Sequence, residues 1–358
     1  MAHDVVVLGA TVAGLTVSRR LADAGYDVVV LDPNLEGRSA AIGHGVAAIG
    51  HASTVANMAH AYGLEPAREH VRRNLAALDE IRSILPDFET RRLRDRSLPG
   101  GTEGETRELV ALYKSVGGEA NVLTAPDGCT LVTEAVCVDP EEYAAALRAA
   151  AVAAGAQVVH GVTVTHLNRR EGVTVIGFRN NMAWARELGS IRGAAVIDTL
   201  GVSPWGRTVR IGPAQWVAAV RCAPERKLRD VELHAVGPAW MVRPTSYGAL
   251  VLGQKATLSA IDDASDELAR WAERELRAEL LEAGRLAIDP SDHGRPVVGA
   301  SAIPGGFYAR GNGRGELMNG TASGYYLAGL LMGHEASSNS LPPLSKLRAS
   351  ASRVLRRR

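Results

Sequence analysis

The first 32 residues constrain the fold more than any other part of the chain. An apolar run, Asp4–Leu8, ends at Gly9, and a short turn leads through Thr11 to Gly14. A helical stretch follows, and a second apolar run stops at Asp32. This order is typical of a βαβ unit whose helix N-terminus binds a pyrophosphate and whose final carboxylate accepts hydrogen bonds from a ribose. We therefore predict a dinucleotide-binding fold.

The glycine pattern of the turn is incomplete. Thr11 occupies the middle position of Gly-x-Gly-x-x-Gly, where the backbone and the phosphate normally approach each other closely. A threonine hydroxyl can itself donate to a phosphate oxygen if the backbone moves slightly away, so we expect binding to survive. The alternative interpretation is an ordinary βαβ turn that holds no cofactor.

Composition excludes several classes of function. The 40 Lys and Arg residues are balanced by 39 Asp and Glu residues, and this net charge of +1 argues against nucleic acid as a main partner. No apolar stretch approaches the roughly 20 residues of a membrane span, and the first strand begins too early for a cleavable signal peptide. The three cysteines form no C-x-x-C pair and are expected to be reduced. These features predict a cytoplasmic protein.

The middle of the chain has a different pattern from its two ends. Helical periodicity covers Ser53–Leu85, and a helix with an acidic first turn runs from Pro140 to about Gly155. Short alternating runs over Val217–Leu252 indicate antiparallel strands, and Glu267–Leu281 predicts an amphipathic helix. From Leu93 to Thr124 the pattern is poor. We predict a mixed α/β fold in which the two chain ends form one cofactor domain and the middle covers it.

The predicted division of the chain is discontinuous. The cofactor-binding domain is assigned to residues 1–85, 139–215 and 285–335. The substrate cap is assigned to residues 86–138 and 216–284. The last segment, 336–358, is rich in arginine and is expected to be a solvated basic tail.

Several segments beyond the first turn occur in a definite order. They are Gly37–Val46, Val138–Pro140, Ile197–Trp205, Gly294–Gly299 and Gly311–Met318. In these residues the sequence resembles the D-amino-acid oxidase/glycine oxidase superfamily of FAD-dependent enzymes, over nearly the whole chain. The resemblance implies a Rossmann-like FAD-binding domain of the glutathione-reductase type and an antiparallel β-sheet substrate cap.

The resemblance also implies three groups of FAD-binding residues. Those at the pyrophosphate and adenosine end are Gly9, Thr11, Val12, Ala13, Gly14, Asp32, Pro33 and Val164. Those along the phosphates and the dinucleotide are Arg38, Ser39, Ala40, Thr199 and Gly201. Those beneath or around the flavin ring are His44, Gly45, Val46, Gly311, Asn312, Gly313, Arg314, Gly315, Glu316, Leu317 and Met318. Covalent attachment through His44, which some amine dehydrogenases of the superfamily use, is an alternative to simple packing against the ring.

The chemistry implied by the resemblance is oxidation of a C–N bond. A hydride passes from a small-molecule amine or amino-acid-like substrate to flavin N5 and leaves an imine. Molecular oxygen then accepts the electrons and gives H2O2. Positioning supplies most of the catalysis, and no dedicated base is required.

Three residues are the candidates for the catalytic site: Arg314, Trp240 and His44. An arginine that fixes the substrate carboxylate in glycine-oxidase-like relatives is replaced here by Ile288, which argues for a specialised, non-glycine substrate. Arg314 matches a second substrate-binding arginine, although it can also pair with Glu316. Trp240 is expected to wall the pocket or to pack in the core.

Two other classes of function stay open. A flavin hydroxylase that uses NAD(P)H shares the first βαβ unit, but such enzymes usually carry a Gly-Asp pair where this chain has Gly311-Asn312. The other class is a non-redox protein that kept the fold and lost the flavin. Association into a homo-oligomer is neither indicated nor excluded by the sequence.

Overall fold

Two β-sheets and a layer of helices make up the protein in a computed structural model. The structure describes residues 2–35, 44–85, 87–98, 102–125, 128–182, 187–203, 215–288, 296–301 and 303–334. The strands are β1 (His3–Leu8), β2 (Val28–Leu31), β3 (Val46–Ala48), β4 (Glu89–Arg96), β5 (Asn121–Ala125), β6 (Gly128–Cys137), β7 (Gln157–Val159), β8 (Val162–Arg170), β9 (Val173–Asn180), β10 (Leu188–Asp198), β11 (Gln215–Pro224), β12 (Val231–His234), β13 (Ala239–Thr245), β14 (Gly248–Ala256), β15 (Ala278–Ile288), β16 (Val297–Ala300) and β17 (Gly306–Arg310). The helices are α1 (Val12–Asp23), α2 (Ala52–Tyr62), α3 (Leu64–Ile84), α4 (Glu103–Ser115), α5 (Pro140–Ala153), α6 (Ile261–Glu275) and α7 (Glu316–Met332).

The first sheet is built on parallel strands from both ends of the chain. Its main order is β16-β17-β10-β1-β2-β7, with β8 and β9 attached through β10. The central strand β1 pairs in parallel with β2 and β10, and Val5–Leu8 are fully buried. A strand covered on both faces requires the continuous apolar run that the sequence contains. The predicted dinucleotide-binding βαβ unit is therefore present.

The second sheet carries the middle of the chain. Its order is β15-β11-β14-β13-β12-β4-β6-β3, with β5 attached to β6. Its pairings are antiparallel except for β12 and β4. The edge strand Val46–Ala48 lies within the range assigned by sequence to the cofactor domain, as do residues 285–288 of β15. The two predicted units are thus interleaved at this sheet.

Helices α1 and α7 pack closely together on the parallel sheet. A Cβ added to Gly324 would lie 2.6 Å from the Ala13 carbonyl oxygen, and one added to Gly320 would lie 3.0 Å from Val12 Cβ. The two glycines therefore let the helices approach at their N-terminal halves. As a result, the first turns of both helices lie near the carboxyl end of β1, which is where an anionic ligand is favoured in such sheets.

Local predictions had mixed outcomes. Helical structure over Ser53–Leu85 and the helix starting at Pro140 are confirmed. The prediction of a helix through Leu281 is wrong, because the helix ends at Glu275 and Arg277 adopts a left-handed φ of 46°. The following apolar residues belong to strand β15, and the poorly patterned region 93–124 contains β4, α4 and β5. None of the described helices has the length and apolar character needed to cross a bilayer.

Candidate active site

The turn after β1 requires glycine at positions 9 and 14. Gly9 has a φ of +104°, and a Cβ there would lie 2.6 Å from Leu200 Cγ. A Cβ on Gly14 would lie 2.1 Å from the Gly9 carbonyl oxygen. Side chains at either position would push the helix away from the strand, so the turn is a cradle that only glycine can form.

Thr11 is the N-cap of helix α1. Its Oγ accepts a hydrogen bond from the Gly14 N–H at 3.1 Å, and its carbonyl accepts from Leu15. The N–H groups of Val12 and Ala13 lie in the first turn, where a helix has no internal acceptors. The threonine side chain therefore stabilises the helix start and leaves these two donors for an external anion.

Asp32 ends β2 with one carboxylate oxygen unsatisfied. The residue is 1% exposed, and its Oδ1 accepts from the side-chain amide of Asn34 at 3.2 Å. Its Oδ2 is buried and receives no hydrogen bond from the described residues, although His160 Nδ1 lies 3.4 Å away. An isolated buried carboxylate oxygen is costly, and ribose hydroxyls are suitable donors for it. The neighbouring Pro33 is exposed, and Val164 lies on β8, whose first residue donates to the Asp32 carbonyl.

The segment after β10 is tied to the glycine turn. Thr199 Oγ1 donates to the Leu8 carbonyl at 2.8 Å, and Asp198 accepts main-chain hydrogen bonds from Leu200 and Gly201. Thr199 thus lies beside Gly9. The contact of Thr199 and Gly201 with the dinucleotide stays a prediction.

His44 and Gly45 connect the cofactor domain to the cap. His44 is 1% exposed, and its Nδ1 accepts from the Val46 N–H at 3.1 Å. Burial lowers the pKa of His44 well below its ordinary value, and the charges of His51 and Arg243 add to this effect. The ring is therefore neutral at pH 7.

Arg243, on strand β13, joins two segments of the chain. One contains His44, and the other contains Val138 and leads into α5. Its guanidinium donates to the carbonyls of His44 and Val138, the latter at 2.7 Å. Gly45 fits beneath it with a φ of +64°, because a Cβ there would lie 2.3 Å from the Val138 oxygen. Arg243 consequently holds the segment that precedes β3 against the cap sheet.

A cavity of about 300 Å³ lies between the cap sheet, helices α2 and α3, and the loop that begins α7. The structure brings two of the predicted catalytic residues together in its wall, Trp240 and Arg314. The Arg314 guanidinium lies 4.3 Å from the centroid of the Trp240 indole, and the His44 ring lies 5.6 Å from the same indole. The catalytic roles of these three residues stay predictions.

The loop from Gly311 to Met318 has the geometry of a ligand-wrapping turn. Gly311 and Gly313 have φ values of 72° and 62°, which favour glycine. Asn312 accepts from Ser323 and donates to Glu316, so Glu316 pairs with the loop asparagine. The Arg314 pKa is lowered to about 9 by burial alone. The Arg314 guanidinium therefore lies in the cavity wall, and among the described residues Glu316 pairs with Asn312 and not with Arg314. The pairing of Arg314 with Glu316, which the sequence left open, is not seen.

Sequence reasoning missed two polar residues of the cavity wall, His51 and Lys255, and the carboxylate of Asp95 next to them. His51 immediately precedes α2, and its ring lies 5.6 Å from Trp240. Asp95 lies behind it, accepting main-chain hydrogen bonds from Ala52 at 2.6 Å and Ser97 at 2.8 Å. Lys255, near the end of β14, lines the same cavity. The only sequence signal for His51 was its place directly before a predicted helix.

The apolar replacement noted in the sequence lies in the same sheet as Trp240. Ile288 ends β15 and packs on the apolar cluster that contains Trp240 and Leu252. The cap therefore presents an apolar surface where relatives are expected to carry an arginine. The predicted FAD-binding residues Arg38, Ser39 and Ala40 fall outside the described residues.

Comparison with known proteins identifies the family. Residues 4–330 match the DAO family, described as FAD-dependent oxidoreductases, and the chain belongs to it. The structure resembles glycine oxidase from Geobacillus kaustophilus, with a TM-score of 0.67, 20% identity and coverage of 94% of this chain and 96% of that one. It also resembles iminodiacetate oxidase (IdaA) from Chelativorans sp. BNC1, with a TM-score of 0.69, 18% identity and coverage of 94% and 97%. No match to a curated protein sequence was found.

A third similar structure is the L-amino acid deaminase from Proteus myxofaciens. Its TM-score is 0.70 at 13% identity, with coverage of 93% of this chain and 91% of that one. The predicted mixed α/β, Rossmann-like architecture with an antiparallel sheet is thus confirmed. The protein is an FAD-dependent oxidoreductase, and FAD is its cofactor.

The described residues fit this cofactor. The unsatisfied Asp32 oxygen suits the ribose, and the free N–H groups at the start of α1 suit the pyrophosphate. The glycine cradle leaves room that a Cβ would fill. The His44 ring and the Arg314 guanidinium both lie next to the Trp240 indole, and their contact with the flavin ring stays a prediction.

Proposed function

We propose that the enzyme oxidises the C–N bond of an amino-acid-like substrate to an imine, with molecular oxygen as the final acceptor and H2O2 as the second product. The observation that carries the proposal is the half-buried Arg314 guanidinium stacked on Trp240 in a cavity beside the predicted flavin-binding segments. Neutral amines alone would leave this cation without a partner, whereas a carboxylate would pair with it.

Arg314 is proposed to hold the substrate carboxylate. A planar guanidinium can form two parallel charge-assisted hydrogen bonds with a carboxylate. Its Nε is buried and has no hydrogen-bond partner among the described residues, and burial lowers the pKa of the group to about 9. The guanidinium is still charged at pH 7, and an anionic ligand would offset its desolvation and accept hydrogen bonds from its donors. Trp240 supports the guanidinium from the opposite side.

His51 is proposed to accept the proton of the substrate ammonium. Oxidation requires a neutral amine, and His51 Nδ1 is buried and has no hydrogen-bond partner in the part of the chain that the structure describes. Burial, with a further contribution from Arg314, lowers the pKa of His51, while Asp95 raises it. The net effect keeps the ring neutral near pH 7, so it can receive a proton that Asp95 then helps to stabilise. Bound FAD supplies the hydride-accepting chemistry.

The substrate is proposed to be specialised. Ile288 contributes an apolar side chain to the cap where a substrate arginine is expected in glycine-oxidase-like relatives. A structure with a TM-score of 0.65 and 16% identity is titled NikD, an unusual amino acid oxidase essential for nikkomycin biosynthesis. Both points support a role in secondary metabolism. The three free cysteines support a reducing, cytoplasmic location.

The test begins with the absorption spectrum of the purified protein. We expect a flavin spectrum and release of FAD on denaturation, followed by H2O2 formation with a subset of amino and imino acids. A protein that takes up no added FAD would support the non-redox alternative and refute the proposal. Flavin reduction that depends on NAD(P)H would instead support the hydroxylase class.

A further inference from the structure

The cavity that contains Arg314 has a second cation in its wall. Lys255 is exposed, whereas Arg314 is half-buried and stacks on Trp240. Three histidines, His51, His70 and His234, complete the titratable groups of the lining. Among the described residues that line the cavity there is no aspartate or glutamate. The cavity wall therefore carries an excess of positive charge, whereas the chain as a whole is nearly neutral.

The carboxylates closest to this wall are engaged elsewhere. Both Asp95 oxygens accept main-chain hydrogen bonds, from Ala52 and Ser97. Glu316 accepts from Asn312, and Glu232 lies 3.8 Å from His234. These carboxylates interact with main-chain N–H groups, with Asn312 and with His234. Among the described residues they do not pair with Arg314 or Lys255.

The two cations interact with each other. Partial desolvation lowers the pKa of the exposed Lys255, and the charge of Arg314 lowers it further. Two unneutralised positive charges facing one cavity repel each other and bear a desolvation cost, which an anionic ligand removes. Arg314 can hold one carboxylate through two parallel hydrogen bonds. The positive charge of Lys255 then still has no negative partner in the cavity.

The hairpin β13–β14 carries both Trp240 and Lys255. Ala239 pairs with Gly253, so Trp240 on one strand and Lys255 on the other lie at the same end of the hairpin. Arg314 reaches this end from the opposite side of the cavity and stacks on Trp240. An elongated substrate can therefore contact Arg314 at one end and Lys255 at the other.

We propose that the cavity selects an amine substrate with two carboxylates, one held by Arg314 beside the reacting C–N bond and the other by Lys255. This inference rests on the proposed function, because it takes the cavity as the substrate site. It assigns to Lys255 the specificity for a distal acidic group. Simple monocarboxylic amino acids would be poor substrates.

The test uses non-oxidisable ligands on the FAD-loaded enzyme. Malonate, succinate and glutarate are compared with acetate, propionate and butyrate, and binding is followed by the perturbation of the flavin spectrum and by tryptophan fluorescence. We expect the best dicarboxylate to bind at least about 10-fold more tightly than its monocarboxylate counterpart. Lys255→Met should reduce this ratio to near one and leave monocarboxylate binding within about twofold of its original value. The exposed Lys227→Met is the matched control and should keep the full ratio.

The outcomes separate the inference from the proposed function. A ratio near one in the unmodified enzyme, or a ratio that Lys255→Met does not change, overturns the inference even if amines are oxidised. A change in the flavin spectrum of Lys255→Met without any added carboxylate, at an unchanged ratio, assigns the lysine to the flavin and also overturns it. Conversely, a Lys255-dependent preference in an enzyme that oxidises no amine refutes the proposed function and supports the dianion site.

Discussion

The Arg314 guanidinium stacks on the Trp240 indole, with its central carbon 4.3 Å from the ring centroid. Arg314 comes from the loop that begins α7, and Trp240 comes from cap strand β13. The contact therefore joins the cofactor domain to the cap at the cavity. Cation–π attraction of this kind is worth about 0.5 to 2 kcal/mol, and it fixes the plane of the guanidinium before a ligand arrives.

Trp240→Leu should weaken carboxylate binding although Trp240 itself donates no hydrogen bond to a carboxylate. We expect a loss of about 3- to 10-fold in affinity, because the guanidinium loses its stacking partner and samples more orientations. Trp240→Phe should retain part of the effect, since a phenyl ring still presents a π face. The measurement is the dissociation constant of a carboxylate from the flavin spectrum. Equal affinities for the leucine variant and the unmodified enzyme would mean that the stacking does not orient Arg314.

Arg314→Met should weaken binding of carboxylates far more than Arg314→Lys. The loss of a bidentate, charge-assisted pair is expected to cost about 10- to 100-fold in affinity. Lysine keeps the charge and loses the fork geometry, so an intermediate loss is expected. Turnover of an uncharged amine, if one is accepted, serves as the control and should change little. A methionine variant with an unchanged KM for acidic substrates would remove Arg314 from the substrate site.

The stability of the enzyme should fall as the pH drops below 6.5, in part because His44 is buried in its neutral form. Its folded-state pKa is lowered well below the ordinary value of 6.5, so the unfolded chain binds a proton that the folded chain does not. Stability therefore decreases below pH 6.5, with a contribution that approaches about 1.4 kcal/mol per pH unit.

The variant His44→Asn isolates this contribution. The asparagine oxygen can still accept from the Val46 N–H, and it does not titrate. We expect the difference in free energy of unfolding between pH 7.5 and pH 5.5 to shrink in this variant, measured by urea denaturation. The exposed His60→Asn should leave that difference as it is. An unchanged pH dependence in His44→Asn would show that the acid sensitivity arises elsewhere.

The sequence predicted the parts of the fold that are encoded locally. The apolar run before Gly9 and the carboxylate at Asp32 are properties of a single βαβ unit, and the structure contains that unit. The end of α6 was predicted wrongly, because the left-handed turn at Arg277 has no glycine to mark it. His51, Asp95 and Lys255 could not be grouped from the sequence, since β4, β14 and the start of α2 meet only in the tertiary fold.

Asp32→Asn should weaken FAD binding without unfolding the protein. The Oδ2 atom receives no hydrogen bond from the described residues, so its acceptor capacity is left for ribose hydroxyls. An amide keeps one acceptor and loses the charge, and we expect an affinity loss of about 10-fold, rising to about 100-fold for Asp32→Ala. The measurement is FAD fluorescence on titration of the apoprotein. Asp23→Asn, on the exposed side of α1, should have the affinity of the unmodified protein; a shared loss in both variants would point to a general effect of charge.

Thr11 tests whether a side chain in the glycine turn impairs FAD binding. Thr11→Val removes the oxygen that accepts from the Gly14 N–H, and the loss of such a cap is expected to cost about 1 kcal/mol in the stability of the apoprotein. Thr11→Ser keeps the cap and should be as stable as the original. Thr11→Gly costs only a few tenths of a kcal/mol and lets the backbone approach the pyrophosphate, so its FAD affinity should equal or exceed that of the unmodified enzyme. A glycine variant that binds FAD more weakly, at an unchanged melting temperature, would show instead that the Thr11 hydroxyl itself donates to the phosphate.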